Sequence, residues 1–321
     1  SSDVCSSDLN VDSNSSTQIK SALLERGLWS QFQQLPFKNI PQPDANIPAI
    51  IVQCSNPEPF HPKLSVFLGD VEAAMIQGIQ ALKKLTDHVV LFADANEQMN
   101  LDRFSEVCQV VRVDGDFSQC NSASVTYHLK DDPKYNQAWV CDWQALVKVA
   151  NTFQTGAYHS QQYISVGGNQ EQDNRHYQVT EGIKISDFLT KRNAKDRMVF
   201  GGLFSGVHTN NESYLPMGAD AINIIDNDPE TEFMSFLQPG FEKPSFTTAY
   251  VSGFFNAFRS LVTTSALNGS LRDCVSCGYC EDVCPVDALP QNILRNIKAD
   301  AVEESFRFGL LDCSSCGEIG R

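Results

Sequence analysis

The sequence lacks the features that mark several large classes of protein. It has no uninterrupted run of about 18 apolar residues, so we expect no segment that spans a bilayer. Positive charge is scarce, since 24 lysine and arginine residues stand against 39 aspartate and glutamate residues, a net charge of −15. This balance argues against nucleic acid and anionic lipid as main partners. We therefore expect an acidic, cytoplasmic chain with several domains.

Motifs for nucleotide binding and hydrolysis are also missing. The first strand candidate, residues 49–54, is followed by Ser55-Asn56-Pro57-Glu58-Pro59 where a dinucleotide fold would need G-x-G-x-x-G. Prolines cannot donate the backbone N–H groups that hold a pyrophosphate, so we predict no NADH or flavin site in this chain. There is no G-x-S-x-G elbow, and the six histidines have no metal-ligand spacing. We interpret these histidines as surface or core residues.

Cysteine is the residue type that carries chemistry here. Cys274, Cys277, Cys280 and Cys284 form C-x2-C-x2-C-x3-C followed by Pro285, the run of a ferredoxin-type iron–sulfur module. A zinc ribbon would need two separated pairs, and a disulfide framework would need a small secreted chain. Four other cysteines have no close Cys or His partner and are interpreted as small core residues: Cys54, Cys108, Cys120 and Cys141.

A second cysteine run begins at Cys313 and Cys316 and is then interrupted. In two-cluster ferredoxins the fourth cysteine of one run ligates the other cluster. We therefore predict that Cys274, Cys277 and Cys280 hold one [4Fe–4S] cluster, and that Cys284, Cys313 and Cys316 hold a second one. Each set is one thiolate short in this sequence.

The two ends of the chain do not fit a folded protein. Residues 1–9 repeat Ser-Ser-Asp, and residues 318–321 interrupt the second cysteine run where a third cysteine is due. We interpret both segments as sequence artefacts and expect the natural protein to be longer at both ends.

Apolar periodicity predicts an α/β region followed by an α+β region. The predicted strands are 49–54, 89–93, 109–113, 163–166, 198–200 and 221–225. The predicted helices are 17–33, 71–85 capped by Asp70, 101–107, 138–153, 185–190, 246–267, 291–297 and 301–308. The strand–helix alternation up to residue 113 predicts a parallel sheet with helices on its faces.

Five segments carry a resemblance to a known family: Ser21-Ala22-Leu23-Leu24-Glu25-Arg26-Gly27-Leu28-Trp29-Ser30, Leu35-Pro36-Phe37, Ala49-Ile50-Ile51-Val52, the helix with Glu72, Ala73, Ile76, Gly78 and Leu82, and Phe246-Thr247-Thr248-Ala249-Tyr250-Val251-Ser252-Gly253. These segments resemble NqrA of the sodium-translocating NADH:quinone reductases. The RnfC component of the Rnf complex and the flavin subunit of respiratory complex I share the implied architecture. Residues 201–206 are similar to their Gly-Gly-x-x-x-Gly turn. Many NqrA proteins have lost the full cysteine set, so this chain resembles a form that keeps its clusters.

The resemblance implies a multidomain fold and a place in a respiratory complex. The expected parts are a helix and linker (10–48), a Rossmann-like parallel sheet without nucleotide (49–160), a β-grasp module of the soluble-ligand-binding type (161–245) and a helical, ferredoxin-like iron–sulfur domain (246–317). The implied role is a peripheral subunit on the cytoplasmic side of the bacterial inner membrane. It would contact membrane components of the complex, especially NqrB, and take part in electron transfer to, or binding of, ubiquinone. Two alternatives stay open: an RnfC protein, which passes electrons between NADH and ferredoxin, and a non-catalytic scaffold with relic cysteines.

Overall fold

The computed structural model describes residues 16–56, 58–114, 120–121, 123–124, 127, 129, 131–168, 174–187, 189, 196–203, 206–226 and 276–314. Within these residues the fold is mixed α/β and contains two five-stranded sheets. No helix in the described ranges has the length and apolar character that crossing a membrane requires.

The first sheet is built from the N-terminal part of the chain. Its strands are β1 (Gln33–Gln34), β2 (Ile50–Gln53), β3 (Val89–Asp94), β4 (Gln109–Val113) and β5 (Trp139–Asp142). They lie in the order β1-β5-β2-β3-β4, with β1 antiparallel to β5 and the other four strands parallel. The predicted parallel pairing of the strands at 49–54, 89–93 and 109–113 is confirmed.

Helices cover the first sheet and bury its strands. They are α1 (Ser16–Glu25), α2 (Leu64–Leu82), α3 (Asp102–Ser105) and α4 (Trp143–Thr155). The central strands β2 and β3 are apolar and buried up to their last residues, Gln53 and Asp94, as expected for a parallel sheet that is covered on both faces. Helices α2 and α4 lie close together at Gly78, where a Cβ atom would lie 2.6 Å from the carbonyl oxygen of Leu146.

The predicted helix at 17–33 is shorter in the structure. Helix α1 ends at Glu25, and Gly27 has left-handed backbone (φ 72°) just beyond it. A 3₁₀ turn at Trp29–Gln31 then leads into β1. Because a glycine adopts this backbone without strain, it ends the helix while the apolar pattern continues past it.

Two further predicted helices in this region have the wrong bounds. The predicted helix at 71–85 begins seven residues earlier, at Leu64, and Asp70 is therefore inside it and does not cap it. The predicted helix at 138–153 is a strand, β5, joined directly to α4. Asp142 ends the strand and caps the helix, accepting a 2.7 Å hydrogen bond from Ala145 N. With no loop between the two elements, the apolar pattern continues through the boundary.

The second sheet is mixed and has its own core. Its strands are β6 (Gln161–Gly167), β7 (Arg175–Thr180), β8 (Asp196–Phe200), β9 (Val207–Thr209) and β10 (Ala221–Asp226). The order is β7-β6-β10-β8-β9, and only the β6–β10 pair is parallel. The predicted strands β6, β8 and β10 are confirmed. Strands β7 and β9 were not predicted, since they are mostly polar and exposed.

The C-terminal part is helical and small. It contains α5 (Tyr279–Asp282), α6 (Pro290–Lys298) and a 3₁₀ helix at Val302–Phe308. The last two match the helices predicted at 291–297 and 301–308, and Pro290 stands in the first turn of α6, where its missing N–H is tolerated. The predicted aromatic helix at 246–267 lies outside the described residues.

Candidate metal centre and the junction of the two sheets

The first cysteine run lies on a tight turn that enters α5. Ser276 (φ 55°) and Gly278 (φ 80°) both have left-handed backbone, so the chain bends sharply on either side of Cys277. Gly278 caps α5, which contains Cys280, and Cys284 follows two residues after the helix ends. The local geometry thus places three cysteines on one short loop and helix.

The C-terminal helices hold this turn in place. The side-chain amide of Gln291 donates to Glu281, and Arg295 Nη2 lies 3.4 Å from Ser276 Oγ. Leu289 N donates to the carbonyl oxygen of Phe308 over 2.9 Å. These contacts fold the chain that leads to Cys313 back onto the residues that follow Cys284.

The four described cysteines of the predicted site are more accessible than Cys54, Cys120 and Cys141, which are buried. Cys277 and Cys313 are exposed, Cys280 and Cys284 are half-buried, and all four are free thiols. Such accessible thiols suit a soft metal or an iron–sulfur cluster once they are deprotonated.

The remaining four cysteines are core residues, as predicted. Cys54, Cys120 and Cys141 are buried, and Cys108 is half-buried. Burial raises the pKa of Cys54 and Cys141 well above the ordinary thiol value, and it raises the pKa of Cys108 to about 11. These thiols are therefore protonated at neutral pH and make poor ligands.

The complete ligand set is not visible in the described residues. Cys274 and Cys316 lie outside them, so each predicted set of three thiolates has two described members. In the described part of the chain, no three His, Cys, Asp or Glu side chains converge on one point. The assignment of the six cysteines to two clusters therefore remains a prediction.

Cys313 also faces the first sheet across a cavity of about 460 Å³. The cavity is lined by Leu35, Pro36, Ala123, Tyr127, Asn136, Leu311, Asp312 and Cys313. Tyr127 joins its two sides, because its hydroxyl donates to Asp287 Oδ2 over 3.2 Å. The cysteine segment is thus seated against the parallel-sheet region.

The loop after β2 leaves the carboxyl edge of the first sheet, the edge at which α/β folds bind ligands. Here the loop packs on the second sheet instead. The Ser165 hydroxyl donates to the carbonyl oxygen of Phe60, and a Cβ atom on Gly167 would lie 3.0 Å from that of Phe60. The Glu58 carboxylate fills the place where Gly202 lacks a side chain, since a Cβ there would lie 1.4 Å from Glu58 Oε2.

His61 forms an ion pair across this junction. Its Nδ1 lies 3.1 Å from Asp220 Oδ2, and the residue is only 8% exposed. Its Nε2 has no hydrogen-bond partner among the described residues. Burial lowers the pKa of the imidazole, but the Asp220 carboxylate, with a smaller contribution from Glu58, outweighs burial and raises it overall.

Sequence reasoning grouped His61 with the other five histidines and missed this arrangement. Its partner is 159 residues away, so no local spacing could reveal it. The available signal was the run of polar residues directly after a buried strand, which includes Asn56, Glu58 and His61.

Helix α4 makes two further connections between the sheets. Gln144 accepts from Tyr163 N over 2.8 Å and donates to the Tyr163 carbonyl oxygen over 3.0 Å. Lys148 forms a buried ion pair with Glu181, whose other oxygen accepts from the Tyr158 hydroxyl. Burial and Glu181 together raise the pKa of Tyr158.

Comparison with known proteins gives two family matches. The family model described as "NqrA second alpha/beta domain" matches residues 14–158. The family model described as "4Fe-4S binding domain" matches residues 271–289, which include the four cysteines of the first run. The second match supports an iron–sulfur cluster in this segment.

Curated relatives are named as the NqrA component of the Na(+)-translocating NADH-quinone reductase. The protein from Vibrio parahaemolyticus is 25% identical over 297 residues, and that from Psychromonas ingrahamii is 26% identical over 300 residues. In both comparisons 92% of this chain is matched, and the chain spans 66% of the relative's length.

Among solved structures, the crystal structure of a NAD+-reducing [NiFe]-hydrogenase in the H2-reduced state is 13% identical, with a TM-score of 0.47. That match covers 68% of this chain and 48% of the hydrogenase chain. The family and sequence matches together support a protein that is like, or related to, NqrA of the Na+-translocating NADH-quinone reductase.

Proposed function

We propose that this chain is a peripheral subunit of a sodium-pumping NADH:quinone oxidoreductase and takes part in electron transfer to, or binding of, ubiquinone. One observation carries the proposal: a single chain matches both the NqrA domain model, over residues 14–158, and the 4Fe–4S model, over residues 271–289. Hydride transfer from NADH is assigned to another component, because the loop after β2 has prolines where a pyrophosphate would need backbone donors.

The cysteines are assigned to two [4Fe–4S] clusters. Cys274, Cys277 and Cys280 would hold the first, and Cys284, Cys313 and Cys316 the second, each completed by a thiolate from further along the natural chain. A bound cluster supplies one-electron transfer. This chain's own contribution is the left-handed turn at Ser276 and Gly278, which leaves Cys277 exposed, and the seating of Cys313 beside the first sheet.

The proposed partners follow from the similarity to NqrA. The chain would bind membrane components of the complex, NqrB in particular, on the cytoplasmic side of the bacterial inner membrane. We propose no nucleic acid partner, because the net charge is −15.

The retained cysteines favour one alternative, a protein of the RnfC type that exchanges electrons between NADH and ferredoxin. A glycine-rich nucleotide loop in the natural sequence upstream of residue 10 would favour that alternative. A scaffold with relic cysteines is the other alternative, and it predicts that the protein binds no iron.

The test is anaerobic reconstitution of the full-length natural protein, followed by iron and sulfide analysis and EPR after reduction. Two clusters require about eight irons per chain, whereas about four would contradict the second cluster and none would favour the scaffold. Cys280→Ser should remove the signal of the first cluster. Cys108→Ser is the matched control, because Cys108 is a half-buried thiol that directly precedes β4, and its replacement should leave both signals unchanged.

Membership of the complex has a separate test. The tagged full-length protein should co-purify with membrane components, and NADH should reduce its clusters in the complex but not in the isolated chain. Reduction of the isolated chain by NADH would contradict the proposal that another component accepts the hydride from NADH, and it would favour the RnfC alternative.

A further inference from the structure

We propose that the junction between the two sheets is a proton-linked clamp, in which protonated His61 and Asp220 hold the second sheet on the loop that follows β2. The inference is independent of the iron–sulfur sites and of the proposed function. It rests on a pair that joins two separate cores, in which the His61 side chain is 4% exposed and that of Asp220 22% exposed, and one ring nitrogen has no partner in the described structure.

The pair connects elements that belong to different sheets. His61 belongs to the loop at the carboxyl edge of the first sheet, and Asp220 directly precedes β10 at the centre of the second. The Asp220 backbone carbonyl also accepts from Ser165 N over 2.9 Å, so the aspartate is anchored within its own sheet. The loop side is anchored by the Ser165 hydroxyl, which donates to Phe60.

The imidazole Nδ1 lies 3.1 Å from two groups, Asp220 Oδ2 and the side-chain nitrogen of Asn56. In the protonated ring both nitrogens carry a hydrogen, so Nδ1 donates to the Asp220 carboxylate. The other N–H is then at Nε2, the buried atom without a partner among the described residues. Protonation thus places a positive ring beside the Asp220 carboxylate and strengthens their contact.

The charged groups around His61 all act in the same direction. Asp220 faces it from the second sheet, and Glu58 faces it from its own loop, seated on Gly202. Farther away, Asp142 at the end of β5 interacts with Asp220 and with Lys148 of α4. Lys148 thus acts on Asp142, whereas the charges that act on His61 are the carboxylates of Asp220 and Glu58.

The sign of the pH effect follows from the raised pKa of His61. A group that binds a proton more tightly in the closed junction stabilises the closed junction. This stabilisation is complete below about pH 6.5, the ordinary pKa of histidine, and it is lost as the pH rises through the raised pKa of His61 in the folded protein. We therefore expect the clamp to be tight in mildly acidic solution and looser in alkaline solution.

The first measurement is an NMR titration of the His61 ring in the full-length protein. The wild-type ring should titrate above pH 6.5. In Asp220→Asn the ring is still buried, which lowers its pKa, but the carboxylate that raises the pKa is gone, so the ring should titrate below pH 6.5. A wild-type value at or below 6.5, or no downward shift in Asp220→Asn, would overturn the proposal.

The second measurement is hydrogen exchange of peptides spanning 54–63 and 219–226, corrected for the chemical exchange rate at each pH. Protection should fall between pH 6 and pH 8.5, by about tenfold for each unit by which the His61 pKa is raised. His61→Gln should lose this dependence, and the exposed His88→Gln should keep it. An unchanged dependence in His61→Gln would contradict the clamp.

Discussion

Lys148 of α4 and Glu181, which follows β7, form an ion pair that is almost fully removed from solvent, with side-chain exposures of 3% and 10%. A second lysine–glutamate pair, Lys184 with Glu212, lies on the surface, where Glu212 is 78% exposed. The two pairs use the same chemistry in different surroundings. They therefore allow the contribution of burial to be measured within one protein.

Removing one partner of the buried pair should be far more harmful than removing one partner of the exposed pair. Lys148→Met leaves the Glu181 carboxylate buried without its cation, and we expect a loss of about 3–5 kcal/mol in the free energy of unfolding. Lys184→Met should have a much smaller effect, because solvent screens the exposed pair. Urea unfolding measures both variants, and equal losses would show that burial of the first pair does not matter.

The same substitution at two glycines of α2 should have opposite effects. A methyl group at Gly78 meets the carbonyl oxygen of Leu146 at 2.6 Å, so Gly78→Ala must push α2 and α4 apart. We expect a loss of about 1–3 kcal/mol in the free energy of unfolding. At Gly69 the space is open, and Gly69→Ala should stabilise the helix by about 0.5–1 kcal/mol. Thermal unfolding of both variants checks the pair, and a stabilising Gly78→Ala would refute the close approach.

Thiol reactivity should separate the predicted ligands from the core cysteines. In metal-free protein, exposed Cys277 and Cys313 should react rapidly with iodoacetamide, and buried Cys54 and Cys141 should not react until the protein unfolds. Cys108 should react slowly at neutral pH and faster as the pH approaches its pKa of about 11. Mass spectrometry of peptides after timed alkylation gives each rate. Fast labelling of Cys54 in the folded protein would contradict its assignment to the core.

Asp142 should stabilise the protein through its hydrogen bond and not through its charge. Burial raises its pKa, although Lys148 opposes this effect, so its ionised form is disfavoured in the fold. A carboxyl group whose pKa is raised by folding destabilises the folded protein as the pH rises from its pKa in the unfolded chain to its pKa in the folded protein. Asp142→Asn keeps a good helix cap and should be no less stable at pH 7, whereas Asp142→Ala should lose about 1 kcal/mol. Denaturant unfolding of both variants decides between cap and charge.

The sequence allowed prediction where the determining contacts are local. The spacing of the first cysteine run indicated an iron–sulfur module, and its described members, Cys277, Cys280 and Cys284, lie on one tight turn and short helix. The apolar runs gave strands β2, β3 and β4 within a residue or so at most positions. Each of these features depends on residues that are neighbours in the chain.

Prediction failed where the contacts are distant or where two elements share an apolar pattern. Trp139 was placed on a helix because the apolar residues continue into α4, but it is a fully buried strand residue. Strand β7 was missed because its residues are mostly polar and exposed, and its pairing with β6 is not visible in the local sequence. The junction of Glu58 with Gly202 and of His61 with Asp220 depends on residues that meet only after both sheets have formed.

Gln144 gives the contact between the two sheets a fixed position along the strand. Strand β10 pairs with β6 only from Ser165 onward, so Tyr163 turns its N–H and C=O toward a helix side chain. The amide of Gln144 presents one acceptor and one donor, as a neighbouring strand would, and Tyr163 pairs with both. Helix α4 thus fixes the position of β6 along its own length through the two hydrogen bonds of Gln144. Because an amide side chain does not ionise, these two hydrogen bonds do not depend on pH.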